Sequence, residues 1–271
     1  MLTLAFIAAG GAAAQDADPA QSPVWQKVHA SLFAGASIEP ANDVLSLDTP
    51  KRAEDAAIVP VAIRAQFPQS ADRYIETIWL IVDNNPSPVA AVFHFTRHSG
   101  RADIETRIRV EQYTFVRAVA LTNKGERYMA ANYVKASGGC SAPAGKDAIA
   151  ARANLGKMRL RVNDAERPGA PVLAQLMISH PNDSGLAMDQ LTRTYATPHF
   201  VRRVDVTYAG RPVMSAEVDF SISENPNFRF YFTPADGGQL EAKAVDNHDL
   251  EFTTTAKLAA ATDRTTIPPR Q

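Results

Sequence analysis

An all-β protein is what the sequence predicts, built as two β-sandwich domains in tandem behind one short helix. Three observations predict it. Apolar residues alternate with polar ones at a period of two through most of the chain, the pattern of half-buried strands. The 271 residues include 18 prolines, and turn-forming pairs punctuate the alternating runs at short intervals. Near the middle, at 135–155, the alternation lapses into a stretch rich in small and polar residues, which separates two sets of strands. The length allows two ordinary domains, and a hydrophobic content of 45% allows each a packed core.

The elements follow in order. Residues 2–14 are almost all apolar or small, and Ala12-Ala13-Ala14 precedes Gln15 in a small-x-small pattern, so 1–14 reads as a signal peptide. It is too short to span a bilayer. No basic residue precedes Lys27, so the usual basic start is missing, and the expectation is a true start upstream or a trimmed signal. Ser22-Pro23 reads as an N-cap and first helical position, and Trp25, Val28 and Leu32 follow on one helical face, giving a helix to about Phe33. The stretch from Ser37 to Ala57 is mixed and loop-like. Then Val59, Val61, Ile63, Ala65 and Phe67 alternate with polar or small residues, with Pro60 marking the start of a strand at a sheet edge. Strands follow at Ile75 to Val82 and Val89 to Phe95, split by the turn Asp83-Asn84-Asn85-Pro86. Ile104, Thr106, Ile108 and Val110 make another. A hairpin runs from Tyr113 to Leu121 and from Arg127 to Val134 across Thr122-Asn123-Lys124-Gly125. Strands at this spacing in about 100 residues suggest a sandwich of immunoglobulin type.

Residues 141–155 read as a linker, with a loose helical turn over Lys146 to Ala153. The second set of strands covers Met158 to Val162, Val172 to His180, Phe200 to Tyr208, Val213 to Val218, Phe228 to Phe232, Gln239 to Val245 and Leu250 to Thr255. The domain limits are thus 22–140 and 156–258, with a disordered tail at 259–271.

A net charge of −1 argues against nucleic acid or an anionic membrane as the main partner. No segment after the signal is long and apolar enough to span a membrane. No glycine-rich phosphate loop is present, so a nucleotide cofactor is not expected, and no cofactor of any kind is assigned. His29, His94, His98, His180, His199 and His248 match no metal-ligand spacing and read as structural; no metal site is assigned. The charged positions Arg107 and Arg109 read as solvated strand face or as contact between the domains.

The chain has one cysteine. Cys140 lies in Lys135-Ala136-Ser137-Gly138-Gly139-Cys140-Ser141-Ala142-Pro143, a polar connector rather than the apolar periodic segment that holds most buried cysteines. An exported chain cannot close a disulfide within itself with one thiol, and an idle exposed thiol outside the cytoplasm is prone to oxidation. The residues alone leave two readings open: a thiol displayed for use, or an incidental linker residue. A displayed thiol also permits a disulfide-linked homodimer.

At this point the residues resemble a known family. Ile81-Val82-Asp83-Asn84-Asn85-Pro86-Ser87-Pro88, Phe93-His94-Phe95, Thr106-Arg107-Ile108-Arg109-Val110 and Val134-Lys135-Ala136-Ser137-Gly138-Gly139-Cys140 resemble SoxY, the thiol subunit of the sulfur-oxidation carrier. Ile178-Ser179-His180-Pro181, Val206-Thr207-Tyr208-Ala209-Gly210 and the run from Ile222 to Phe232 resemble SoxZ, its partner subunit. The single-chain order is similar to fused SoxYZ-like carriers linked with quinoprotein dehydrogenases. The resemblance implies a non-enzymatic periplasmic carrier with no catalytic residue. Cys140 would hold a covalent sulfur-linked intermediate, and Gly138 and Gly139 would be the hinge of a swinging arm. It implies periplasmic redox enzymes as partners, of the sulfur-oxidation type or of a quinoprotein dehydrogenase system. The alternative is a non-catalytic scaffold whose thiol is unused. One departure bears on mechanism: the family's arm ends its chain, whereas Ser141-Ala142-Pro143 continue here into the second domain. A linker of about 15 residues has an r.m.s. span of about 20 Å, so Cys140 can bulge out as a loop but cannot enter a narrow tunnel end-first.

Overall fold

The computed structural model describes residues 18–142, 153–163, 169–188, 192–235 and 238–258. The expected signal peptide, most of the linker and the tail at 259–271 lie outside the described residues. The chain divides into two compact units, residues 1–35 and 36–271.

In the first unit, helix α1 spans Pro23–Phe33 as expected. Ser22 caps it, its hydroxyl accepting from the Trp25 N–H, and Pro23 fills the first position where an N–H would have no partner. Ala34 closes it in the left-handed conformation. Trp25, His29 and Phe33 stack their rings along one face, at centroid distances of 5.5 and 6.1 Å.

Among the described residues the second unit has fifteen strands in chain order. They are β1 (Glu39–Pro40), β2 (Leu45–Asp48), β3 (Val59–Ala65), β4 (Ile75–Val82), β5 (Val89–Phe95), β6 (Ile104–Ile108), β7 (Thr114–Thr122) and β8 (Arg127–Val134). The rest are β9 (Met158–Val162), β10 (Val172–Ile178), β11 (Val201–Tyr208), β12 (Arg211–Val218), β13 (Asn227–Phe232), β14 (Gln239–Asp246) and β15 (Glu251–Lys257). The all-β class and the tandem order of two sandwich halves are those the sequence predicts. Strands β1 and β2 fall in the stretch read as a loop, where the alternation is too short to register.

The halves join edge to edge. A nine-stranded sheet runs β1-β8-β7-β4-β5-β12-β11-β14-β15 and a six-stranded sheet runs β2-β3-β6-β13-β10-β9. Both cross from the first half to the second. In the larger sheet β5 pairs antiparallel with β12, Ala91 opposite Val218 and Phe95 opposite Met214. In the smaller, β6 meets β13 at Ile104 and Phe230. Inward positions of both sheets interleave as in any sandwich. Phe93, Ile104, Phe228, Phe230 and Phe232 are fully buried, and the Phe93 and Phe228 rings meet edge to face at 6.2 Å. One core therefore runs through the join.

Candidate functional site

The candidate residues gather where the two halves meet, at the end of β6 and the turn after β8. The turn after β4 sets the frame. Asp83 forms a two-pronged ion pair with the fully buried Arg117, at 2.8 and 2.6 Å, which fixes the turn against β7. Asn85 then reaches across: its amide nitrogen donates to the Arg109 carbonyl (2.8 Å) and to Ser221 Oγ (3.0 Å), and its oxygen accepts from the Glu111 N–H (2.9 Å). Arg109 N–H donates to the Ser221 carbonyl of the second half at 2.7 Å. The segment 109–111 is thereby held between both halves.

The Cys140 loop docks onto that segment. Gly138 N–H donates to the Glu111 carbonyl (2.9 Å) and Gly139 N–H to the Val110 carbonyl (3.0 Å). The Glu111 carboxylate accepts from the N–H groups of Cys140 (2.8 Å) and Ser141 (3.1 Å) and from Ser141 Oγ (2.9 Å). From the second half, Ser184 Oγ donates to the Cys140 carbonyl at 2.5 Å. Gly138 adopts φ +81°, open to glycine without strain. Gly139 has a different reason to be glycine: a Cβ there would sit 2.1 Å from the Ala56 carbonyl oxygen and 2.7 Å from the Val110 nitrogen.

The expected solvated arm is therefore corrected. Cys140 is 0% exposed, and the loop is stowed in the seam rather than extended. The physical reason is distant in sequence: Glu111 and Ser184 lie 29 and 44 residues from Cys140, and together they satisfy its backbone. Burial pushes the thiol pKa up to about 12; Glu111 and Asp219 add to the rise and Arg109 opposes it. In this state the sulfur is a neutral thiol and a poor nucleophile. A disulfide-linked homodimer would need the loop to open first.

Arg109, an outward position of the β6 alternation, is buried by the second half rather than solvated, which is the contact between domains that the sequence left as one of two readings. Its Nη1 donates to the Gly139 carbonyl at 3.4 Å, and its Nη2 to the carbonyls of Pro181 (3.4 Å) and Asn182 (3.1 Å). Glu111 and Ser184 likewise carry no local signal in the sequence. For Glu111 the one hint was its place at the end of an alternating run whose last residues resemble the family.

A second polar cluster lies close by in the second half. His199 Nε2 sits 2.7 Å and His180 Nε2 3.5 Å from the same Asp246 oxygen. The other Asp246 oxygen accepts from the N–H groups of His248 and Leu250. His248 stacks on His199 at 4.0 Å. These three ligand atoms of His180, His199 and Asp246 lie within 4.8 Å of one another, close enough to suggest a cation site. The tautomer argues otherwise. His180 Nδ1 accepts the Asn182 N–H at 3.0 Å, which leaves the ring proton on Nε2, facing the carboxylate. Binding a cation at Nε2 would require either moving the ring proton to Nδ1, with loss of the Asn182 bond, or an imidazolate. The set fits a buried carboxylate satisfied by ring and backbone donors. Burial, with His199 next, lowers the His180 pKa to about 4 despite Asp246. Burial alone would raise Asp246, but the His199 hydrogen bond and the backbone donors outweigh it and the net shift is downward.

Comparison with known proteins agrees with this organisation. The family model described as sulfur oxidation protein SoxY matches residues 29–140, ending on Cys140, and that described as sulphur oxidation protein SoxZ matches residues 158–257. Among solved structures, the sulfur carrier protein SoxY from Chlorobium limicola f thiosulfatophilum aligns at 22% identity and TM-score 0.34, over 41% of this chain and 90% of that one. A superoxide reductase (neelaredoxin) from Ignicoccus hospitalis aligns at 15% identity and TM-score 0.32, over 35% of this chain and 81% of that one. A search of curated proteins finds no match. With a SoxY domain followed in one chain by a SoxZ domain, this protein belongs to the sulfur-oxidation carrier family.

Proposed function

We propose that the chain is a periplasmic carrier that holds a covalent sulfur-linked intermediate on Cys140 and presents it to redox enzymes, within a quinoprotein dehydrogenase system. The carrying observation is the position of the chain's one cysteine. It ends the segment matched to SoxY, behind two glycines, on a loop at the seam of both halves. Carriage then works by stowing and release. Stowed, the thiol is protonated and shielded from oxidants. Released, Gly138 and Gly139 serve as the hinge, and the sulfur regains an ordinary thiol pKa of about 8.5 and its nucleophilicity. The loop is held by hydrogen bonds and not by a strand ladder, so a docking partner can exchange them for its own. No group of the chain is assigned a catalytic role; the partner supplies the chemistry.

The test is the intact mass of protein taken from the native periplasm during substrate oxidation. A mass increment that is removed by reductant and maps to Cys140 is the expected result. An unmodified thiol under active turnover overturns carriage. The burial of the thiol favours the second reading, a scaffold with an unused cysteine, and the same measurement decides between them: in that case Cys140→Ser also leaves substrate oxidation in the cell unchanged.

A further inference from the structure

We propose that Arg109 is a specificity-determining residue of the carrier site, a buried cation that favours a negatively charged group on Cys140 over a neutral or cationic group of similar size. The inference rests on the carriage reading and adds what the seam selects.

The fold shows twice what it does with a buried arginine, and the two cases differ. Arg117 is fully buried and meets Asp83 through both prongs of its guanidinium. Arg109 is 3% exposed and among the described residues its guanidinium meets three carbonyls, all at 3.1 Å or longer, while its Nε is buried with no partner among them. Carbonyl dipoles stabilise a guanidinium, but they do not neutralise it, and an uncompensated charge taken out of water is expensive. Through space a thiolate at Cys140 would offset the charge most, ahead of the acids Glu224, Asp183 and Asp55. With the empty thiol protonated, that nearest contribution is missing.

An anion tethered to the Cys140 sulfur would supply it. The guanidinium is anchored through its Nη atoms, one of them to the carbonyl of the residue before Cys140, and the free Nε leaves an edge suited to an oxyanion. The Glu111 carboxylate and Asp219 work against a negative charge at Cys140, and Arg109 is the group that works for it. Such an edge selects an adduct ending in a sulfonate, carboxylate or similar small oxyanion over a neutral thioether or hemithioacetal.

The experiment uses the full chain and three alkylthiosulfonate reagents. In each, the Cys140 thiolate attacks the sulfenyl sulfur, a disulfide forms and methanesulfinate leaves with the electron pair. The groups installed are sulfonatoethyl, hydroxyethyl and trimethylammonioethyl, and the readout is the Tm of each adduct at low salt. The expected order is sulfonatoethyl above hydroxyethyl above trimethylammonioethyl, with steps of about 2–4 °C, the shift of one charge-assisted hydrogen bond in a chain of this size. Arg109→Gln removes the order, and Arg109→Lys keeps the sign with a smaller step. A wild-type sulfonatoethyl adduct that melts with or below the hydroxyethyl one overturns the proposal, even if both variants fail to fold. The labelled protein needs no native cargo, so this outcome is separate from failure of carriage, which the periplasmic mass measurement alone decides.

Discussion

Replacing Gly139 with alanine tests whether the stowed loop is held as described. The added Cβ would lie 2.1 Å from the Ala56 carbonyl oxygen and 2.7 Å from the Val110 nitrogen, where ordinary contact begins at 3.4 Å. Both neighbours are backbone, tied to each other by the bond from Val110 N–H to the Ala56 carbonyl at 2.8 Å, so neither can give way by the ångström required. The stowed state is then lost. What is lost with it can be bounded. The hydrogen bonds of Gly138, Gly139, Cys140 and Ser141 contribute about 1 kcal/mol each net, somewhat more for those to the Glu111 carboxylate. Burial of the thiol adds about 1 kcal/mol. Ordering these residues costs about 1–2 kcal/mol apiece. The balance is about 2–3 kcal/mol, an open population of roughly one in a hundred in the wild type. Gly139→Ala should therefore react with a neutral disulfide probe at pH 8 about 100-fold faster than wild type, approaching the rate in denaturant, while the fold persists with a Tm lower by about 5–10 °C. Gly138→Ala is the control: nothing lies within 4 Å of its Cβ, and only the strain at φ +81° opposes it. Strain of about 1 kcal/mol gives roughly a fivefold effect. A Gly139→Ala variant that labels at the wild-type rate, or more slowly than Gly138→Ala, refutes this account of the loop.

Further expectations follow from the same geometry. Ser184→Ala removes the second half's hold on the Cys140 carbonyl and should speed labelling by about fivefold to tenfold, with Tm lower by about 2–4 °C; an unaltered rate would mean that this bond does not restrain the loop. The Cys140 pKa is raised from 9.0 to about 12 in the fold, so its contribution to the stowed state is complete below pH 9 and is lost as pH rises towards 12. Protection factors at 138–141, with the intrinsic rise of exchange with pH divided out, should fall over that window in wild type and stay flat in Cys140→Ser; equal profiles count against a stowed thiol. His180 is held neutral with a pKa lowered to about 4, so stability falls as pH drops from 6.5 towards 4, by up to about 1.4 kcal/mol per pH unit. Below that range the lowered Asp246 pKa means a further loss as its carboxylate protonates. His180→Asn, which retains an acceptor for the Asn182 N–H, should melt lower at neutral pH but with a flatter acid limb; an unchanged slope would show that His180 does not titrate on unfolding.

Most strands were legible because each buries one face, and a period of two survives in Val59 to Ala65 or Ile104 to Ile108 whatever lies beyond. What decides the site was not, because it depends on approach between remote segments. Arg109 falls on the polar face of its run, and only the arrival of Asn182 and Pro181 from the other half turns that face inward. Gly139 reads in sequence as freedom, yet in space it marks a close crossing of backbones. The thiol's burial rests on Glu111 and Ser184, and nothing in the composition of 135–145 indicates them. Pairing of β5 with β12 is likewise invisible, since each strand has the same alternation whether its edge is bare or joined.

The ladders that cross from one half to the other make the covalent connection at 143–152 dispensable for cohesion. Backbone bonds between β5 and β12 and between β6 and β13, over a shared apolar interior, already tie the two pieces together. A polypeptide cleaved there would stay assembled. Either fragment produced by itself would present two raw strand margins, and these invite aggregation.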